Sequence, residues 1–290
     1  MKKILLCTDG SAFAQVSYEY AAWWANRMDT EIEVLYVTNL RKQKAVQTQD
    51  FSGSLGIDDH QALLAKLVDL EHETAKINHE RAKIILAAAR QVLVEKGVAE
   101  SILQLTHETG FLVDRFHELE KEAELIMLGK RGETAGFAVE HLGSNMERIV
   151  RSSHKPCLVT SREFHPIERI LFAYDGGKSC QTALHFLLNT PVLKGLDLHI
   201  VTVAKAVSKE EEVIACHQRI LPHLAEQGFS PTFAVLHGNP EEAIVKYADA
   251  NAMDFMIMGT YGHNRIRHLI IGSTTAQVLR RSHLPVLLFR

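Results

Sequence analysis

The chain carries the same pattern twice. KKILLCTDGS (residues 2–11) is matched by ERILFAYDGG (168–177), and IEVLYVTN (32–39) by LHIVTVAK (198–205). ELIMLGKRG (124–132) is matched by DFMIMGTYG (254–262), and HLGSNMERIVRSSHKPCLVTSR (141–162) by IIGSTTAQVLRRSHLPVLLFR (270–290). Four blocks repeated in the same order are the mark of a tandem duplication. Any fold for this chain must therefore be one that a half-length unit can form. The units read as residues 1–162 and 167–290, meeting near Ser161 to Pro166.

Within each unit, short apolar runs alternate with helix-like stretches. In the first half the runs are ILLC, VLYV, ILQLT, LIMLG and CLVT. Continuous apolar runs of this length fit strands buried on both faces, hence a parallel sheet with helices on either side. The strand–helix alternation predicts an α/β fold of two tandem doubly wound, Rossmann-like (flavodoxin/HUP-type) domains. In such sheets ligands bind beyond the carboxyl ends of the strands, where the strand order reverses. Asp9, Val37 and Gly129, with Asp175, Val203 and Gly259, fall at or near those ends.

The first unit is longer. Residues 39–60 form a polar, glycine-containing insertion that reads as a mobile loop. Residues 61–96 follow with helical spacing at Leu63, Leu67, Leu70, Ile77, Ile84, Ala88 and Val92, a stripe expected to be buried. Gly97 is expected to end that helix.

Composition excludes several classes. With 46% hydrophobic and 23% charged residues and a formal net charge of -3, the chain suits a soluble globular protein and not an electrostatically driven nucleic-acid binder. No apolar run is long enough for a membrane span, and the apolar core of MKKILLCTDG is too short for a signal peptide, so a cytoplasmic location is expected. Cys7, Cys157, Cys180 and Cys216 form no C-x-x-C pair and read as reduced thiols. The 16 histidines form no H-E-x-x-H, so no metal site is expected, although His72 and His79 share roughly one helix face.

The informative stretch is GTYGHNRIRHLIIGST, residues 259–274. Gly259 and Gly262 follow a buried-strand pattern, and Gly272-Ser273-Thr274 opens a helix. Free N–H groups and the positive dipole end at such a helix start favour an anion. A side chain added at Gly272 is expected to occupy phosphate space. Neither G-x-x-x-x-G-K-[ST] nor G-x-G-x-x-G is present, and G-x-S-x-G is absent too.

The spacing Gly259-x2-Gly262-x9-Gly272-Ser273 resembles the ATP-binding signature of universal stress proteins. The likeness runs over nearly the whole chain, through Asp9 and Asp175, Val37 and Val203, and the final strands after Pro156 and Pro285. It implies a five-stranded parallel sheet in each unit, and pairing of the two last strands about a pseudo-two-fold axis. It also implies ATP, with or without Mg2+, held by Asp175, Val203, Gly259, Gly262, His263, Gly272, Ser273 and Thr274. The first-half counterparts are Asp9, Val37, Gly129, Lys130, Arg131, Gly132, Gly143, Ser144 and Asn145.

The first loop departs from the signature. Ten residues separate Gly132 from Gly143 where the second loop has nine, and the loop includes Glu133 and Glu140. Their charge opposes a triphosphate, while Lys130 and Arg131 offset it. The second site is therefore the preferred one, with Arg265 and Arg267 nearby. The resulting expectation is an ATP-binding stress-response regulator with little or no catalysis, acting through an unidentified protein partner or a homodimer. A scaffold that binds no nucleotide and a slow ATPase are the alternatives.

Overall fold

The computed structural model describes residues 2–39, 57–110, 112–132, 142–204, 210–260 and 271–290. The first half runs β1 (Lys3–Thr8), α1 (Ala12–Ala25), β2 (Glu31–Asn39), α2 (Ile57–Glu95), β3 (Leu103–Gly110), α3 (Leu112–Leu119), β4 (Leu125–Gly129), α4 (Ser144–Ser152) and β5 (Cys157–Thr160). The second repeats it: β6 (Arg169–Ala173), α5 (Lys178–Asn189), β7 (Asp197–Ala204), α6 (Glu210–Glu226), β8 (Thr232–His237), α7 (Pro240–Ala250), β9 (Phe255–Gly259), α8 (Ser273–Arg281) and β10 (Val286–Phe289).

All strands join one ten-stranded sheet in the order β3-β2-β1-β4-β5-β10-β9-β6-β7-β8. Within each half the pairing is parallel, and the order read from the outer edge is that of a Rossmann-type sheet. The halves meet where β5 and β10 pair antiparallel, with Val286 opposite Val159 and Leu288 opposite Cys157. Each last strand would otherwise be an exposed edge, and the pairing covers both.

The two halves also share their cores. On one face Ile4, Trp24, Leu86 and Leu93 belong to the same apolar cluster as Phe172, Leu187, Leu224 and Phe289. Trp24 of α1 reaches across the junction to Phe186 and Phe255, at ring-centroid distances of 6.3 and 6.5 Å. On the other face Phe116, Met146 and Ile149 join Ile244, Val278 and Leu288. The central strands β4, β5, β9 and β10 are apolar on both faces because helices cover both.

Two expectations change at the periphery. All of the run ILQLT but Ile102, which ends a 3-10 turn, lies in β3, which is not buried on both faces: Gln104 and Leu105 face solvent because β3 is an outer edge. The stripe expected to be buried on the long helix is largely exposed: Leu70 is 58%, Ile77 67% and Ile84 69% accessible. Helix α2 docks through Ala82, Leu86, Ala89 and Leu93 instead. At about 1.5 Å per residue its 39 residues extend roughly 58 Å, so much of its length has no domain to pack against. Its end is as expected: Gly97 has φ +88°, and the Val98 N–H returns to the Leu93 carbonyl.

Candidate functional site

Strand order reverses between β1 and β4 in the first half and between β6 and β9 in the second; sheets of this kind have their ligand crevice outside the carboxyl ends of such a pair. Asp9 and Asp175 stand just past β1 and β6. Each carboxylate turns back on its own loop, Asp9 Oδ1 accepting from the Ser11 N–H (3.0 Å) and Asp175 Oδ1 from the Gly177 N–H (2.8 Å). Gly10 and Gly176 follow at φ +77° and +74°, a turn that favours glycine at both positions.

The other wall is the strand end and the helix that follows it. Gly259 packs against α5, where an added Cβ would lie 2.9 Å from the Ser179 Cβ, and Gly129 lies as close to the Phe13 backbone (3.0 Å). These glycines serve strand–helix packing. Gly272 donates its N–H to the Thr260 carbonyl (3.0 Å), and Gly143 makes the same bond to Lys130 (3.1 Å). A Cβ on Gly272 would point at that carbonyl, 2.9 Å away. Independently of any phosphate, the glycine permits a close approach between two backbones of the protein.

The helix starts differ between halves. Gly143 and Gly272 are the N-caps of α4 and α8, and neither helix receives a side-chain cap. The first turn of α4 carries Glu147, whereas α8 has no acid there. Ser273 is exposed and Thr274 half-buried at the start of α8. Buried Thr275 donates its hydroxyl to the Gly259 carbonyl (3.0 Å), and Thr260 is tied through its N–H (2.7 Å) and hydroxyl (2.9 Å) to the Phe289 carbonyl. Thr275 thus fastens the α8 start to the end of β9. Met146 holds the matching place in the first half. Sequence reasoning missed these two threonines, although the run Gly-Ser-Thr-Thr was visible.

Val203 and Val37 occupy equivalent places near the ends of β7 and β2, opposite Leu236 and Glu108. Behind Val203 a buried polar pair steadies the wall. The Thr202 hydroxyl donates to the Tyr174 carbonyl (2.5 Å), so His217 Nε2, 2.8 Å away, is the donor to Thr202. Burial lowers the His217 pKa and keeps the ring neutral.

The first crevice is built differently. The Gly132 backbone lies against Asp9, with an added Cβ 2.5 Å from Oδ2. Lys130, expected to offset the charge of Glu133 and Glu140 at the first site, reaches into the other half. Its Nζ donates to the Ser282 carbonyl (2.8 Å) at the end of α8, where the helix dipole favours a cation. Burial, with Arg131 and Arg162 close by, brings its pKa down to about 8. Arg290 answers from the second half by donating to the Arg151 carbonyl in α4 (3.2 Å). Arg131, Ser144 and Asn145 stay beside the first crevice. Gly262, His263, Arg265 and Arg267, with Glu133 and Glu140, lie outside the described residues.

The family model for the universal stress protein family matches residues 1–161 and again 166–290. The chain belongs to this family. A universal stress protein of Synechocystis sp., Slr1230, is 53% identical over 290 residues, covering all of both chains. Universal stress protein MJ0577 of Methanocaldococcus jannaschii is 33% identical over 73 residues, 25% of this chain and 45% of that protein. Among solved structures, a universal stress protein from Archaeoglobus fulgidus superposes over 99% of this chain and 98% of its own, with TM-score 0.72 and 23% identity. The tandem arrangement is thus that of universal stress proteins in both sequence and fold. Among the described residues no helix is long and apolar enough to cross a membrane.

Proposed function

We propose that the protein is a nucleotide-responsive regulator that binds one ATP, with or without Mg2+, in the second-half crevice. The observation that carries this reading is the α8 start. It has no side-chain cap and no acid in its first turn, it faces the switch point beside Asp175, and Thr275 holds it to the strand end. A helix start of this kind offers N–H donors and a positive dipole end to a phosphate. The glycine signature, which resembles that of the ATP-binding members of the family, supports the choice of nucleotide. Asp175 and Val203 then face ribose and base, and Ser273 and Thr274 the phosphates. The first crevice, with Glu147 in its helix start and Lys130 turned away, serves the paired architecture. On this reading bound nucleotide is a signal, hydrolysed slowly at most.

Calorimetric titration with ATP tests this reading. Wild type is expected to bind one ATP per chain. Ser273→Ala with Thr274→Val is expected to weaken binding about tenfold, in line with the loss of a charge-assisted hydrogen bond. Ser144→Ala with Asn145→Ala is expected to leave it unchanged. No binding at millimolar ATP, or loss only in the first-half variant, would overturn the assignment.

A further inference from the structure

At the amino ends of β4 and β5, the end of the first half away from its own crevice, three side chains converge. His117 lies in the last turn of α3, Glu120 one residue beyond it, and His154 in the turn between α4 and β5. One ligand atom from each falls within 4.8 Å of the others. Glu120 is the buried member, its side chain only 5% exposed, and it directs Oε1 at both rings, 2.6 Å from His117 Nδ1 and 3.5 Å from His154 Nδ1. Its second oxygen is held from behind by the Ser153 hydroxyl (2.7 Å) and the His154 N–H (3.3 Å).

We propose that His117, Glu120 and His154 form a binding site for a divalent transition-metal ion of the zinc class. Two neutral imidazoles and one carboxylate are hard-to-borderline donors suited to Zn2+, and three protein ligands leave a fourth position for water. Zinc bonds of about 2.0–2.2 Å place neighbouring ligand atoms roughly 3.3–3.5 Å apart in a tetrahedron. The pair between Glu120 and His154 already has that spacing, and the closer pair with His117 opens when the metal replaces the shared proton. Ser153 and the His154 backbone supply the outer hydrogen bonds that orient a ligating carboxylate. The His154 side chain is 75% exposed, so an ion can enter from solvent. Lys155, the neighbouring cation, directs its ammonium to the Lys121 carbonyl (3.3 Å).

The duplication supplies an internal control. The serine turn recurs in the second half, where the Leu284 N–H donates to the Ser282 hydroxyl as the Lys155 N–H does to Ser153. His283 also recurs opposite His154. Aligned by burial, with Phe116 over Ile244, however, Val245 and Ala248 replace His117 and Glu120. The fold therefore requires the turn but neither of those two ligands. A buried glutamate costs desolvation that an alanine avoids, so the cluster is an addition specific to the first half. Bound metal would fasten α3 to the turn before β5, and this assignment stands independently of the nucleotide reading.

The test is zinc binding by the full chain after chelator treatment, followed by competition with a chromophoric chelator and by the visible spectrum of the Co2+ form. Wild type is expected to bind a zinc ion that His154→Ala, His117→Ala and Glu120→Gln each weaken at least tenfold. The tetrahedral Co2+ absorption is expected to disappear with it, and His283→Ala to behave as wild type. His154 is exposed, so His154→Ala keeps the fold, and an unchanged melting temperature without metal verifies that. No zinc bound by wild type, or equal affinity and Co2+ spectrum in His154→Ala and His117→Ala, overturns the proposal. Additional zinc on other histidines does not alter the comparison, because the count must still fall by one.

Discussion

Replacing Gly272 by alanine separates two roles for the residue. The new Cβ would lie 2.9 Å from the Thr260 carbonyl oxygen, which belongs to backbone and is fixed from both sides. Thr260 is tied to Phe289, and the Gly272 carbonyl already receives the Ala276 N–H of α8. Ordinary C···O contacts are about 3.3–3.6 Å, so helix and strand end must part by roughly half an ångström. Overpacking of this kind costs about 1–3 kcal/mol. The unfolding entropy, about 2.1 cal/mol/K per residue, comes to roughly 0.6 kcal/mol/K for 290 residues. The melting temperature without nucleotide should then fall by about 2–5 °C. Gly143→Ala meets Lys130 O at 3.4 Å and should cost less. Scanning calorimetry of the three proteins, followed by ATP titration, provides the comparison. If Gly272→Ala melts with wild type while losing ATP, the Cβ points into ligand space and the reasoning is refuted.

Four further outcomes are expected. Glu33 is buried between Lys3 (2.6 Å) and the Thr106 hydroxyl (2.6 Å), so Glu33→Ala leaves that hydroxyl without its acceptor and Lys3 with only its outer partner Glu122 (3.3 Å), and should cost about 1–3 kcal/mol in urea unfolding; a loss below about 0.5 kcal/mol would contradict the burial of Glu33. Lys130 has a folded pKa of about 8, below its unfolded value of about 10.4. Stability should therefore rise with pH across that window, and wild type should gain on Lys130→Met between pH 8 and 10; a gap that stays constant rules this out. His217 has a lowered pKa, chiefly from burial, so its contribution is complete above about pH 6.5 and is lost as pH falls through its folded value. His217→Gln should flatten the acid limb of the stability curve, and an unchanged limb would place the ring in water. Ile77→Lys and Ile84→Lys change side chains 67% and 69% exposed and should alter stability by no more than about 0.5 kcal/mol; a larger loss, measured by chemical denaturation, would show that this face is covered in solution.

The strand end at Gly259 and the helix start at Gly272 were legible in the chain because local rules govern them. An apolar run that ends in glycine marks a buried strand turning out of a sheet, and Gly-Ser-Thr ahead of an amphipathic stretch marks a helix start. The repeat was equally plain, since duplication preserves order. The burial of α2 could not be read in this way. Its apolar residues at Leu70, Ile77 and Ile84 have good helical spacing, but which side of a long helix meets the domain depends on where β2 and β3 lie beneath it.

The sequence by itself determined that the chain is a duplicated α/β protein of the universal stress protein family and where its strands, helices and glycine turns begin. Those features depend on neighbours within a few positions. Tertiary structure alone decided which glycine faces its own backbone, that Lys130 caps a helix of the other half, and that Thr275 steadies only one crevice. It alone brought His117, Glu120 and His154 together, because Glu120 and His154 stand 34 positions apart in the chain and become neighbours only when β4 and β5 pair. Contacts of that kind are set by strand order and helix docking, which no local pattern encodes.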